Sequence, residues 1–389
     1  MKILVALTYY RPWVSGLTIY VERLSKSLAA RGHHVTILTS QFEKTLPREE
    51  ILDGVHILRV PVALRVSKGV VMPTIGFEAT RQVLRHDAIS IHLPQLDAWG
   101  IALRGRLLGT PTVLTYHCDL RLPKGLINLA ANQVVKLTNR VSAWLSDRVV
   151  AYTEDFAIHS PFLSRYLNKL EVISPPVEVA KVSDEAVQAF AEEHVRGHTP
   201  VIGIAARLAT EKGVEYLLDA MDEILVSYPN AMVLFAGQHE NVLGEGEYRV
   251  RLQPLFEKFS EHWHFLGILE PNEMASFYRV CDVTVLPSVN STESFGLVQI
   301  ESMICGTPVV ASNLPGVRQP INITGMGKVV PLRDSASIST AILEILNRKE
   351  TFSGKPEKIE EQFSPMNTAE RYEELFQHLL DIKGKSPKL

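Results

Sequence analysis

Short runs of β-branched and aliphatic residues alternate with helix-period segments from the first residue onward, and this alternation is what most limits the fold. KILVAL opens the series. A helix follows over about Leu17 to Arg31, where Ile19, Val21, Leu24 and Leu28 share an apolar side and Gly32 is placed to end it. VTILTS, GVHILRV, AISIHL, TPTVLTYH and DRVVAYT read as further strands, and LEVISPPV closes the first half at Pro175 and Pro176, which a helix cannot continue through. The alternation restarts at PVIGIAARL. It continues through a helix over about Lys212 to Val226, the strand AMVLFAG, a helical stretch ending near Phe259 and the strands HWHFLG and CDVTVLPS. The short helix GLVQIESMIC and the strand GTPVVAS come next, and after a polar segment from Thr351 to Pro365 the last helix covers roughly Thr368 to Ile382. Such spacing predicts an α/β chain of two Rossmann-like domains with mainly parallel sheets, residues 1–177 and 178–365, joined at the double proline. Ligands of open parallel sheets bind beyond the carboxyl ends of the strands. Two sheets facing a central cleft are therefore expected, with site residues drawn from strand-to-helix loops.

Length agrees with two cores, since single cores stop growing near roughly 250 to 300 residues and this chain has 389 residues, 46% of them hydrophobic. The opening MKILVALTYYRPW is too quickly interrupted by Tyr9, Tyr10, Arg11 and Pro12 to act as a signal-peptide core, and it reads as a first strand. No apolar stretch approaches the roughly 18 residues needed to span a bilayer, so a cytoplasmic protein, soluble or peripheral on the membrane's cytoplasmic face, is expected. Cys118, Cys281 and Cys305 are an odd count without metal-ligand spacing, which suits core thiols in a reducing compartment.

A net charge of −3 conceals an asymmetry. Residues 1–177 carry 21 Lys and Arg against 13 Asp and Glu, a net of +8, leaving 19 against 30, a net of −11, for the remainder. The basic half either meets an anionic surface, such as phospholipid or a lipid-linked phosphate, or simply carries scattered solvated charge. Within it, Arg121 to Arg140 mixes Leu122, Leu126, Ile127, Leu129 and Val134 with Arg121, Lys124, Lys136 and Arg140. That pattern fits a helix lying on an anionic bilayer, and equally a core helix with a charged outer face.

Chemistry concentrates in two loops. In PSVNSTESFGLVQIESMICG, Glu293 and Glu301 flank a Phe-Gly-Leu turn at the end of a buried-strand pattern. Gly296 lets backbone approach a ligand, and the free N–H groups of the following helix start can hold a phosphate oxygen. Glu301, inside that helix, can accept from two ribose hydroxyls, while Glu293 can meet the hydroxyls of a sugar. In AARLATEKGV, Arg207 ends a strand and Lys212 begins a helix, so two cations can neutralise a diphosphate leaving group as a metal ion otherwise would. No Asp-x-Asp triplet is present to hold such a metal.

With ESFGLVQIE as an E-x7-E segment and RLATEK as an R-x4-K pair, the chain resembles the retaining glycosyltransferases of the GT-B fold, family four (group 1), over nearly its whole length. The resemblance implies that Glu293 contacts the donor sugar, Glu301 the ribose, Arg207 and Lys212 the diphosphate, and Phe295, Gly296 and Leu297 the sugar and phosphates through backbone N–H. RPWVSG resembles the family's glycine-rich loop, with Ser15-Gly16 in place of Gly-Gly; the resemblance implies close approach of the donor at Gly16 and puts Ser15 on the acceptor side. TYHCD matches the segment whose histidine, His117, lies near the donor sugar, with acceptor-side Asp119 close by. HFLGIL resembles the base-reading strand and loop and nominates Gly267 and Ile268; FAGQHE lacks the usual glycine-acid-glycine loop, with Gln238 in the place of its acid. A C-terminal helix, 366–389, is expected to rejoin the first domain.

The implied reaction is transfer of a hexose, UDP-glucose being favoured over GDP-mannose, to a glycan or lipid-linked saccharide in polysaccharide or glycoconjugate biosynthesis. Arg207 and Lys212 aid departure of the diphosphate, and the acceptor attacks the same face, positioned by Glu293 and His117. No cofactor, metal or nucleic acid is expected. An epimerase of the same fold and a nucleotide-sugar-binding protein without turnover are the competing readings. A dinucleotide oxidoreductase is disfavoured because TYYRPWVSG lacks G-x-G-x-x-G.

Overall fold

The computed structural model describes residues 1–66, 69–119, 126–242 and 244–387. They form two compact units, Met1–Pro176 with Phe363–Leu389, and Val177–Gln362.

The first unit contains β1 (Lys2–Ala6), α1 (Gly16–Ala30), β2 (His34–Gln41), β3 (Glu49–Leu52), β4 (Val55–Pro61), β5 (Leu64–Val66), β6 (Gly69–Val71), α2 (Ile75–Arg85), β7 (Ala88–Leu93) and α3 (Ala98–Leu108). It continues through β8 (Thr112–Tyr116), α4 (Leu126–Leu145), β9 (Arg148–Ala151), α5 (Glu154–His159) and β10 (Leu170–Val172). Its main sheet has the order β10-β9-β8-β7-β1-β2-β4-β3, parallel except where β3 pairs antiparallel with β4. Every residue of β7 and β8 is buried, because helices cover both faces of a parallel sheet. Leu4, Ile89, Ile91 and Leu114 pack with Val83, Ile101 and Ala143 from the helices, each full burial of an aliphatic side chain contributing about 1.5–3 kcal/mol.

The second unit contains α6 (Asp184–His194), β11 (Val201–Ala205), α7 (Val214–Ser227), β12 (Met232–Ala236), α8 (Gly246–Lys258), β13 (Trp263–Gly267), α9 (Pro271–Val280) and β14 (Val283–Leu286). It then runs through α10 (Leu297–Ile304), β15 (Val309–Ser312), α11 (Gln319–Thr324), β16 (Gly327–Val330), α12 (Ser335–Asn347) and α13 (Pro356–Phe363). Its sheet is wholly parallel in the order β13-β12-β11-β14-β15-β16. Strand order reverses between β11 and β14, as it does between β1 and β7 in the first unit. These are the points where loops leaving adjacent strands diverge and open a crevice.

The last helix, α14 (Pro365–Ile382), packs in the first unit. Its buried Tyr372 hydroxyl lies 2.9 Å from the Tyr20 hydroxyl on α1 and 2.7 Å from Thr115 Oγ1 on β8. Lys383 Nζ donates to Asp147 Oδ2 at 2.8 Å. The polar segment from Thr351 to Pro365 is not a plain loop: α13 lies within it, held by buried Ile359 and Phe363, and α14 begins at Pro365, its amino end capped by the Ser364 hydroxyl.

Candidate functional site

In the second unit, the loops leaving β11 and β14 at the switch point are tied together. Leu208 and Ala209 are buried and anchor the first loop, and Val289 N donates to Glu211 O at 2.9 Å, stitching it to the second. A single 3-10 turn, Thr210–Lys212, leads to Gly213 at φ 63°, which starts α7. A Cβ at Gly213 would lie 2.3 Å from the Pro287 carbonyl oxygen, so only glycine lets the loops approach this closely.

That approach brings Lys212 to Glu293. Lys212 Nζ donates to Glu293 Oε2 at 2.5 Å, with the two side chains only 20% and 17% exposed. Arg207, half-exposed, donates from Nη2 to Glu211 Oε1 at 3.0 Å. Both cations therefore stand at the end of β11, each held by a carboxylate.

Phe295 is buried and pins the turn before α10, and Gly296 caps that helix in the left-handed region at φ 78°. A Cβ there would come within 2.4 Å of Leu286 Cδ2 and 2.7 Å of Gln299 Nε2. Gln299 is itself buried, donating to the carbonyls of Phe295 and Val317 at 2.8 and 2.9 Å, which fixes the helix start. Gln299 N donates to the Gly296 carbonyl at 2.9 Å, while the amides before it, Leu297 and Val298, have no carbonyl one turn earlier in the helix and present partial positive charge to an anion.

Glu301, one turn further along α10, is oriented by a residue that sequence reasoning did not single out: the buried Tyr278 hydroxyl on α9 donates to Glu301 Oε2 at 3.0 Å. Burial and the Glu301 carboxylate hold that phenol well above its ordinary range, so it serves Glu301 only as a donor. Gly267 ends β13 at φ 75°; its carbonyl accepts from Gly237 N at 2.6 Å, and Ile268 after it is exposed. The Gln238 carbonyl accepts from Leu208 N at 2.8 Å, while its amide turns to the carbonyls of Glu240 and Asn241 at 3.2 and 3.3 Å.

In the first unit, Ser15 is the N-cap of α1: its Oγ accepts from Thr18 N at 3.2 Å and lies 2.9 Å from Thr18 Oγ1. The serine that replaces glycine thus has a structural task of its own. An added Cβ at Gly16 would meet nothing within 4 Å.

His117, at the end of β8, is buried with both ring nitrogens engaged: Nε2 lies 2.9 Å from His92 Nδ1, and Nδ1 pairs with the Tyr152 hydroxyl. His92 Nε2 in turn lies 3.1 Å from Ser90 Oγ. Burial holds His92 down to about 3 and His117 well below the usual imidazole range, so the pair is neutral. Asp119 Oδ1 accepts from the Tyr116 and Ser160 hydroxyls at 3.0 and 2.8 Å, and its buried Oδ2 has no hydrogen-bond partner among the described residues. Asp97, in the loop after β7 at this unit's switch point, precedes α3 without capping it, and burial pushes its carboxyl up to about 6.

The arrangement in the second unit suits a nucleoside diphosphate bearing a group rich in hydroxyls: cations and helix amides for phosphate, and two carboxylates for neighbouring hydroxyls. Residues 188–362 match the family described as "Glycosyl transferases group 1" and residues 15–176 match "Glycosyl transferase 4-like domain". The chain is 28% identical over 327 residues to the D-inositol 3-phosphate glycosyltransferase of Segniliparus rotundus, covering 78% of this chain and 70% of that protein. Identity to the phosphatidyl-myo-inositol mannosyltransferase of Mycobacterium leprae is 25% over 342 residues, 85% of this chain and 83% of that one. Among solved structures, Anabaena HepE in complex with UDP aligns with a TM-score of 0.77 at 17% identity, covering 97% of this chain and 100% of that one. Sucrose-phosphate synthase of Thermosynechococcus elongatus aligns with a TM-score of 0.74 at 22% identity, covering 98% and 99%. The fold is GT-B, with two Rossmann-like halves.

Proposed function

The chain belongs to the group 1 glycosyl transferases, and from that premise we propose that it is a retaining, metal-independent hexosyltransferase moving glucose from UDP-glucose to a glycan or lipid-linked saccharide. The observation that carries the reading is the joining of the β11 and β14 loops, which sets Lys212 beside Glu293 and close in sequence to Arg207. As the bond from the anomeric carbon to the phosphate oxygen breaks, negative charge grows on the diphosphate. Arg207, Lys212 and the first-turn amides of α10 stabilise that charge in place of a divalent ion. The acceptor oxygen bonds to the same face of the anomeric carbon, its proton passes to the departing phosphate oxygen, and configuration is kept. Glu293 holds sugar hydroxyls, Glu301 holds the ribose, and His117 is assigned to donor positioning.

A neutral His117 with both nitrogens occupied supports a positioning part for its ring rather than proton transfer. The UDP-glucose assignment draws on the solved complex of Anabaena HepE with UDP-glucose, a protein 18% identical to this chain. GDP-mannose is the second reading, favoured by the mannosyltransferase named among the relatives.

The test is a melting-temperature panel of sugar nucleotides followed by transfer assays with and without a chelator, the product anomer being read by NMR. A donor that binds the native state raises its melting temperature. UDP-glucose giving the largest rise, chelator-resistant transfer and an α-linked product are the expected results. Loss of transfer on chelation, or an inverted anomer, overturns the mechanism; a larger rise with GDP-mannose replaces the donor.

A further inference from the structure

We propose that the outer face of α2, α3 and α4 is a docking surface for an anionic lipid bilayer. These helices lie side by side, α2 against α3 and α3 against α4, over one face of the first unit's sheet. Helices packed in this way stand about 8–10 Å apart, so three of them present a broad outer face of the sort that lies along a membrane.

The residues facing outward are of one kind. On α4, Asn139, Ser142, Ala143 and Leu145 are buried, while Lys136, Leu137, Arg140 and Trp144 return every three or four residues on the opposite side. Leu137 is 62% exposed and Trp144 67%. On α3, Trp99 and Leu107 are exposed, and the Arg106 guanidinium lies 5.9 Å from the Trp144 ring centre, joining the two helices into one surface. On α2, Phe77 and Leu84 are exposed either side of Arg81. Residues 121–125, part of the Arg121–Arg140 stretch noted from sequence, lie outside the described residues.

Carboxylates are almost missing from this face. α3 and α4 contain no Asp or Glu, and the single acidic residue of α2, Glu78, accepts from Gln82 Nε2 at 2.6 Å and lies 3.6 Å from Arg81 Nη1. A face that only met water would mix both signs of charge and leave its large apolar side chains scattered rather than gathered. Exposed Trp, Phe and Leu between Arg and Lys instead match the headgroup boundary, where aromatic and aliphatic groups enter the acyl edge and cations meet lipid phosphates. Among the described residues no helix is long and apolar enough to cross a membrane, so contact through this face is lateral.

The test is co-sedimentation of the full chain with phosphatidylcholine vesicles and with vesicles also containing phosphatidylglycerol. Binding to the anionic vesicles alone, weakening as salt is raised, is expected, since each basic side chain near the surface contributes about fivefold. Lys136→Glu with Arg140→Glu should reduce binding at least tenfold, and Leu137→Ser with Trp144→Ser should also reduce it, with melting temperatures near the parent's. A blue shift of tryptophan emission on anionic vesicles, reduced with Trp144→Ser because Trp99 remains, would place that ring in the interface. Wild-type protein left in the supernatant, both variant pairs binding as the parent does, or stronger retention by single-stranded RNA than by vesicles would overturn the proposal.

Discussion

Lys212 Nζ stands 2.5 Å from Glu293 Oε2, so the cation assigned to the leaving group and the carboxylate assigned to the sugar neutralise each other before any ligand arrives. A diphosphate reaching Lys212 competes with Glu293 for the same ammonium. Glu293→Gln removes the competing charge while keeping shape, and nucleoside diphosphate binding by calorimetry should tighten severalfold. Transfer should nevertheless fall by about two orders of magnitude, because a pre-aimed charged acceptor for the sugar is lost. Weaker diphosphate binding in this variant would show that the ion pair does not compete with the ligand.

Arg207 offers a cleaner separation of stability from catalysis. Its pair with Glu211 is an exposed i,i+4 contact, of a kind worth about 0.3–0.5 kcal/mol. Arg207→Ala should therefore leave thermal unfolding nearly unchanged while lowering kcat by roughly 10² to 10³ if the guanidinium meets the leaving charge. Near wild-type kcat would remove it from the mechanism.

Strand-and-helix alternation and the two loops at β11 and β14 were readable because they rest on local periodicity and on residues five and eight positions apart. Arg207 and Lys212, or Glu293 and Glu301, sit near one another whatever the rest of the chain does. Tyr278 behind Glu301, His92 against His117, and Tyr372 against Tyr20 are different, the last two residues being 352 positions apart. Only the packed sheet brings such pairs together, and in sequence each reads as one more apolar or strand residue. β3 escaped notice because EEIL is an edge strand whose outer face carries charge, although the Asp53-Gly54 turn into β4 is a hairpin signal. α13 escaped because its two anchors, Ile359 and Phe363, are set in a run of charged residues.

Burial of the His92 and His117 pair sets an acid limit on the fold. Both imidazoles are held neutral, His92 with its value lowered to about 3 from an ordinary 6.5. The unfolded chain binds protons that the folded chain refuses, so their contribution is fully present above about pH 6.5 and is lost as pH falls toward 3. Urea-unfolding free energy should drop on going from pH 7.5 to 5, and His92→Asn should be less stable at pH 7.5 with a shallower fall. An unchanged slope in the variant would mean that other groups set the acid limit.

Asp97 works in the opposite direction. Its carboxyl, raised to about 6 by burial, binds a proton more tightly folded than unfolded, so the fold loses stability as pH climbs from the ordinary 3.8 through 6. Asp97→Asn carries no such cost, and its melting temperature should exceed the parent's at pH 7.5 and match it near pH 4. Equal melting temperatures at both values would show that Asp97 is well solvated when charged.

Two glycines separate geometry needed by the chain from space left for something else. At Gly213, φ of 63° and the Pro287 carbonyl oxygen 2.3 Å from an added Cβ leave no room for alanine. Left-handed strain alone costs about 1–3 kcal/mol, and the clash must push the β14 loop away from Lys212. Gly213→Ala should therefore lower the melting temperature and transfer together. At Gly16 the backbone is unstrained and an added Cβ touches nothing within 4 Å, so Gly16→Ala should keep the melting temperature. If that open space beside the Ser15 cap receives a ligand, the methyl group fills it and KM for donor or acceptor rises without loss of fold. Unchanged kinetics in Gly16→Ala would show that no substrate approaches the start of α1.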